Sequence, residues 1–155
     1  MSRIKEHIKE LYKITTGDQK NYYGWLHSKG LVYDCEIKDI GKELMKEAFK
    51  SIPKACYTNS LKISLFNENL DYVEGFYITS VINIPLEHAW NSKGGKYFDS
   101  TAIMMGFKVR ERFGVKLPRE LYLIYALDEE SNKHMGFLKW YYINYIKVNK
   151  IIYSI

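Results

Sequence analysis

At Asn67–Asn69 the hydrophobic period of this chain changes from helical to strand-like, and the change points to a class in which N-terminal helices give way to an antiparallel sheet. Before it, Ile4, Ile8 and Leu11 recur at helical spacing between lysines and glutamates, so residues 2–14 are predicted to form an amphipathic helix. Residues 38–51 place Ile40, Leu44, Met45 and Ala48 on one side until Pro53 ends the pattern, giving a second helix. A third is expected to begin near Ala55 and run through CYTNSLKISLF with Leu61, Leu65 and Phe66 inward, which puts Cys56 in its first turn. Thr15 to Ile37 breaks into glycine and aromatic residues, with LVYDCEI extended.

After the change, LDYVEGFYITS carries the β-branched and aromatic residues of a strand, and LEHAWNSKGGKYFDST (residues 86–101) reads as two more strands joined around Ser92 to Gly95. Beyond Thr101, IMMGFKVRERFG fits neither period cleanly. VKLPRELYLIYAL reads as extended after Pro118, and SNKHMGFLKWYYINYIK as a last helix, with the WYYINYIKVNKIIYSI ending read as a core helix followed by an edge strand. The expected architecture is α+β, with N-terminal helices packed on a small antiparallel sheet. At 155 residues, without repeats or Pro- or Ser-rich linkers, the chain is read as one domain, 1–155.

Charge and apolar runs remove several function classes. The net charge of +5 is scattered along the chain and argues against nucleic acid as the partner. No run of about 18 apolar residues could span a bilayer, and MSRIKEHIKE lacks the apolar core of a secretory signal, so the expected setting is cytoplasmic, with Cys35 and Cys56 as thiols. Cys35, with Asp34 and the more distant His27, matches no common zinc spacing, so no metal or other cofactor is expected.

The hairpin carries the chemistry. With its loop centred between Lys93 and Gly94, Trp90 would pair with Tyr97 and His88 with Asp99, bringing an imidazole within reach of a carboxylate. An aspartate on one ring nitrogen fixes the histidine's tautomer and leaves the other nitrogen to take a proton from a nucleophile. Cys56 supplies a candidate nucleophile, because a thiol in a helix's first turn meets the positive end of the helix dipole, and its own backbone N–H can help hold an oxyanion. Each piece alone has a structural explanation, as a buried polar pair or a small apolar residue. The order along the chain adds what the pieces lack.

Cysteine on a helix, histidine on a strand and aspartate on the next strand resembles the arrangement of transglutaminase-like cysteine enzymes, a branch of the papain-like fold. His88-Ala89-Trp90, Gly94-Gly95, Tyr97-Phe98, Asp99 and Thr101 resemble that family's histidine hairpin, and Tyr72-Val73-Glu74-Gly75-Phe76 resembles the strand before it. The likeness covers roughly Ala55 to Thr101. It implies Cys56 as nucleophile, His88 as general base and acid, and Asp99 as orienting carboxylate, in a thiol hydrolase or acyltransferase acting on a protein, peptide or small amide. Lys54-Ala55-Cys56-Tyr57 departs from the small and aromatic neighbours usual around the nucleophile. The family's upstream oxyanion donor has no selected counterpart among Asn21, Tyr22, Tyr23 and Trp25.

Around this triad, Glu74 reads as a group for a substrate amine or a surface ion pair, Trp90 as a roof over the site or core filling, and Asn59 and Ser60 as caps, packing or substrate contacts. Glu87 should face away from His88, and His7 and His134 should face solvent. Two further readings stand beside the first: a peptidoglycan-cleaving hydrolase of the same Cys–His order, and a catalytically silent scaffold that binds a protein or nucleic acid.

Overall fold

The computed structural model describes residues 2–128 and 136–147. Its elements are α1 (Arg3–Ile14), α2 (Gly17–Lys29), β1 (Leu31–Val32), α3 (Gly41–Phe49), α4 (Cys56–Phe66), β2 (Asp71–Thr79), β3 (Leu86–Lys93), β4 (Lys96–Phe98), α5 (Ser100–Met105), β5 (Val109–Lys116), α6 (Tyr122–Leu127) and α7 (Phe137–Tyr141). The fold is α+β. Its five strands form one sheet of order β1-β5-β2-β3-β4, and every neighbouring pair is antiparallel. No helix among the described residues is long and apolar enough to cross a membrane.

Two stretches differ from the sequence expectation. Thr15 to Ile37 holds α2, whose buried Tyr22, Trp25 and Leu26 sit three and four residues apart; the helical period is there, written in aromatic side chains around a buried Gly24. The chain after Pro118 is not extended: Arg119–Leu121 forms a 3-10 turn leading into α6, and Tyr122 and Tyr125 pack inward one turn apart. The expected last helix is α7, continued as a π-helical turn over Tyr142–Ile146, while His134 and the expected edge strand lie outside the described residues. His7 is half-buried, edge-on to Phe76 at 6.1 Å, rather than in solvent.

The central strand β2 divides the molecule, because its successive side chains point to opposite faces. Tyr72, Phe76 and Ile78 join Ala89, Phe113 and Val115 in the larger core, which Ile4, Ile8, Trp25 and Leu26 of α1 and α2 cover together with Tyr122, Phe137 and Trp140. The opposite face carries Val73, Gly75, Tyr77 and Thr79, in register with Trp90, His88 and Leu86 of β3 on one side and with Gly114 and Arg112 of β5 on the other. Packed aromatics thus fill one face. The other holds His88 and Arg112, both bonded to Asp99.

Glu74 belongs to the first face, not to the expected substrate contact. It pairs with Ala89, while His88 pairs with Gly75, so its carboxylate points away from the imidazole. It is buried, accepts a hydrogen bond from the Tyr72 hydroxyl, and accepts from Phe137 N (2.7 Å) and Leu138 N (2.9 Å) at the start of α7. A carboxylate on the free N–H groups of a helix's first turn ties that helix to the sheet. Burial raises its pKa to about 7, partly offset by these three donors. Glu74→Gln exchanges an acceptor for an amide whose N–H₂ must face donors, and is expected to destabilise the fold by about 2 kcal/mol in urea unfolding.

A candidate cysteine–histidine–aspartate site

Cys56, His88 and Asp99 meet on the polar face. His88 Nε2 lies 2.9 Å from Asp99 Oδ2, which leaves Nδ1 as the open ring nitrogen, and Cys56 lines the same cleft as the ring and helps raise its pKa. His88 is 3% exposed and Asp99 2%; Cys56, at 8%, opens on a cleft of about 440 Å³. The thiol is buried without being sealed in.

The hairpin reaches this contact by another register than expected. The observed pairs Asn91↔Phe98, Ser92↔Tyr97 and Lys93↔Lys96 centre the turn between Gly94 and Gly95, one residue later than read from the sequence. Those two residues have φ of 56° and 77°, and a two-residue turn of this kind needs positive φ at both central positions, which two consecutive glycines meet without strain. The shift moves the partner of each β3 residue by two positions, so faces are preserved and His88 and Asp99 become diagonal neighbours. Asp99 has also left the strand: it is the N-cap of α5, with Oδ1 accepting from Ala102 N at 2.9 Å.

A residue absent from the sequence reading completes the carboxylate's shell. Arg112 of β5 donates from Nη2 to Asp99 Oδ2 at 3.0 Å, is 3% exposed, and lies 3.6 Å over the Tyr97 ring. One carboxylate oxygen therefore receives both the imidazole and the guanidinium. Nothing in VRERFGVK distinguishes Arg112 from Arg110, since only the sheet register places it on the His88 face.

Asn59, expected as a possible substrate contact, holds the scaffold of the site. Its side chain accepts from Ile52 N (2.9 Å) and donates to Ile52 O (2.8 Å), clamping the turn before α4, and it donates to Thr101 Oγ1 (2.9 Å) on α5. Within that turn Lys54 has φ of 63°, a left-handed conformation costing roughly 1 kcal/mol for a residue with a side chain. Asn91 performs the matching task on β3, donating to Ser60 O (2.9 Å) and Ser64 Oγ (2.7 Å). Ser60 and Ser64 are fully buried, and their small side chains let α4 lie close to β3. The elements bearing Cys56, His88 and Asp99 are cross-linked in this way by two asparagines.

Trp90 is fully buried and does not line the Cys56 cleft, so it serves as core and backing rather than as a substrate contact there. Its ring stacks beside His88 at 6.3 Å and meets Tyr33 edge-on at 5.5 Å. A Cβ on Gly114 would come 2.7 Å from the Trp90 ring and 2.5 Å from the Glu74 carbonyl oxygen, so glycine keeps this pocket open. The group that covers His88 on the cleft side is Tyr77, stacked at 4.0 Å with a 19° interplanar angle. Glu87 is half-exposed and paired with Lys139 at 2.8 Å, and Cys35 is exposed.

Burial would push the His88 pKa down, but the charge and hydrogen bond of Asp99, joined by Cys56, prevail and lift it to about 9. Burial would likewise raise Asp99, yet His88, Arg112 and the Ala102 N–H hold it below the usual carboxylate range. No group of three metal-ligating side chains occurs among the described residues. No family model matches the chain, no curated protein sequence matches it, and no solved structure matches its fold.

Two outcomes follow from this geometry. Because the folded-state pKa of His88 lies above its unfolded value, its contribution to stability is complete below pH 6.5 and lost as pH rises through about 9. The stability difference between the wild type and His88→Asn, measured by urea unfolding, should shrink by about 3 kcal/mol between pH 6 and pH 9.5. Arg112→Met removes one partner of a buried ion pair and should cost about 3 kcal/mol in the same assay at pH 6.

Proposed function

We propose that this protein is a cysteine-dependent acyl-transfer enzyme, a hydrolase or transferase of amide bonds working through a thioester on Cys56. The observation that carries the reading is the His88 ring, held by Asp99 through Nε2 and sharing one cleft with the Cys56 thiol. Support also comes from the cleft that opens on the sulfur and from the resemblance of the hairpin to transglutaminase-like enzymes of papain-like fold.

In the proposed reaction the sulfur attacks the acyl carbon as a thiolate whose proton is already held on His88 Nδ1, in line with the raised pKa of that ring. The imidazolium then returns that proton to the leaving amine as the C–N bond breaks, leaving a thioester. Water, or a second amine, attacks the thioester with His88 again taking the proton, and the thiol is regenerated. Asp99 stabilises the imidazolium in both steps, and the carboxylate's bond to Arg112 and its cap on α5 keep it in place. The backbone N–H of Cys56, in the first turn of α4, is the main-chain donor assigned to the oxyanion in this reaction. The substrate is a peptide, protein or small amide, and the setting in which both cysteines remain thiols is a reducing one such as the cytoplasm.

Thiol labelling tests this reading. In a Cys35→Ser background, iodoacetamide at pH 7 should modify Cys56 about 10-fold or more faster than a free cysteine peptide, and His88→Ala should remove the advantage. Slow labelling that His88→Ala does not alter would leave a binding scaffold in place of an enzyme.

A further inference from the structure

We infer that the cleft over Cys56 selects acyl donors with a bulky apolar group beside the reacting carbonyl and rejects those with a cationic group there; the inference rests on Cys56 being the nucleophile. The Tyr77 ring that stacks on His88 continues into Phe107, 6.0 Å away, so an aromatic wall leads from the imidazole to the rim of the cleft. Facing it are Val81 and Ile82 from the connection between β2 and β3, and Met105 at the end of α5.

These aliphatic side chains are exposed to an unusual degree for their type: 82% for Val81, 43% for Ile82 and 42% for Met105. Their position is fixed by the chain. Thr79 Oγ1 accepts from Val81 N (3.3 Å) and Ile82 N (2.8 Å), which holds the connection in a turn over the mouth of the cleft. Apolar side chains fixed in water beside a reactive sulfur gain from being covered, and an apolar donor group is what would cover them. At about 440 Å³ the cleft lies toward the lower end of the ~300–1,000 Å³ usual for ligand sites, a size for one such group and its acyl carbon rather than a long chain.

The charges at the cleft add a sign. Glu87 is neutralised by Lys139, whereas Lys54 is exposed and has no carboxylate partner among the described residues. A donor with a positive group would meet Lys54 without compensation. A neutral or anionic donor would not.

The test compares chloromethyl ketones, which form a C–S bond to Cys56 with loss of chloride. In the Cys35→Ser protein, phenylalanyl, leucyl and lysyl chloromethyl ketones are each timed, and each rate is divided by that reagent's rate with glutathione. The phenylalanyl and leucyl reagents should react about 10-fold or more faster than the lysyl one on this scale. Ile82→Glu and Met105→Glu, both at exposed positions, should each lower the ratio of the phenylalanyl rate to the iodoacetamide rate several-fold, with circular dichroism checking the fold. A flat profile, a preference for the lysyl reagent, or a ratio unmoved by both variants overturns the inference while fast iodoacetamide labelling leaves the catalytic reading standing. Iodoacetamide labelling no faster than that of a free cysteine peptide overturns both.

Discussion

One buried carboxylate organises the polar half of this molecule. Asp99 gives one oxygen to His88 Nε2 and to Arg112 Nη2, and the other to the first turn of α5. An isolated carboxylate with 2% exposure would be driven to its neutral form; this one is kept charged because two cationic partners and a helix N–H converge on it. Its position is set from three directions, by β3, β5 and α5. The imidazole's orientation follows from that position, and so does the side from which the Cys56 thiol meets the ring.

The sheet makes this arrangement affordable by dividing labour between its faces. On the larger core side, stacked and edge-on aromatics such as Tyr72, Tyr122, Tyr125, Phe137 and Trp140 supply apolar burial, and Glu74 fastens α7 to the sheet there. On the other side the packing is smaller, centred on Tyr33, Val73 and Trp90, and the bonds of Asp99 to His88 and Arg112 do more of the positioning, while the two asparagines tie the flanking helices on. Asn59 joins the turn before α4 to α5, and Asn91 joins α4 to β3. Each amide connects the element bearing Cys56 to one bearing another member of the triad, so the three side chains are spaced by bonds within the scaffold rather than by their own contact alone.

How much of this is legible in the sequence depends on the range of the signal. α1, α4, β2 and the hairpin are written in local period, and Cys56 in the first turn of α4 follows from Pro53 and the apolar spacing after it. The meeting of His88 and Asp99 was anticipated from a turn placed one residue too early. It survives the error because a two-residue shift in pairing keeps every side chain on its face. What local patterning does not carry is register between distant strands. Arg112 becomes visible only once β5 pairs with β2, and Glu74 reads as a surface or substrate group until Phe137 and Leu138 are brought to it from 63 and 64 residues away. α2 was hidden for a different reason, since its inward positions are filled by tyrosine and tryptophan rather than by the aliphatic residues that make a helical stripe plain.

The energetics bear on why such a cluster exists. A buried group of ionised side chains is weak as a source of stability, because desolvating each ion offsets most of what their attraction returns, and apolar residues of similar volume serve a purely structural role as well or better. This chain builds such an apolar interior on the opposite face of the same sheet. On the His88 face it instead joins an imidazole, a carboxylate and a guanidinium beside a cleft that a thiol also lines. Two neighbouring asparagines hold their elements together, and Lys54 accepts a left-handed backbone in the turn leading to the thiol. A scaffold with no chemistry to perform gains little from that combination. In the proposed reaction each part has a use: the ring to hold the thiol's proton, the carboxylate to stabilise that charge, the arginine to fix the carboxylate, and the cleft to bring an acyl group to the sulfur.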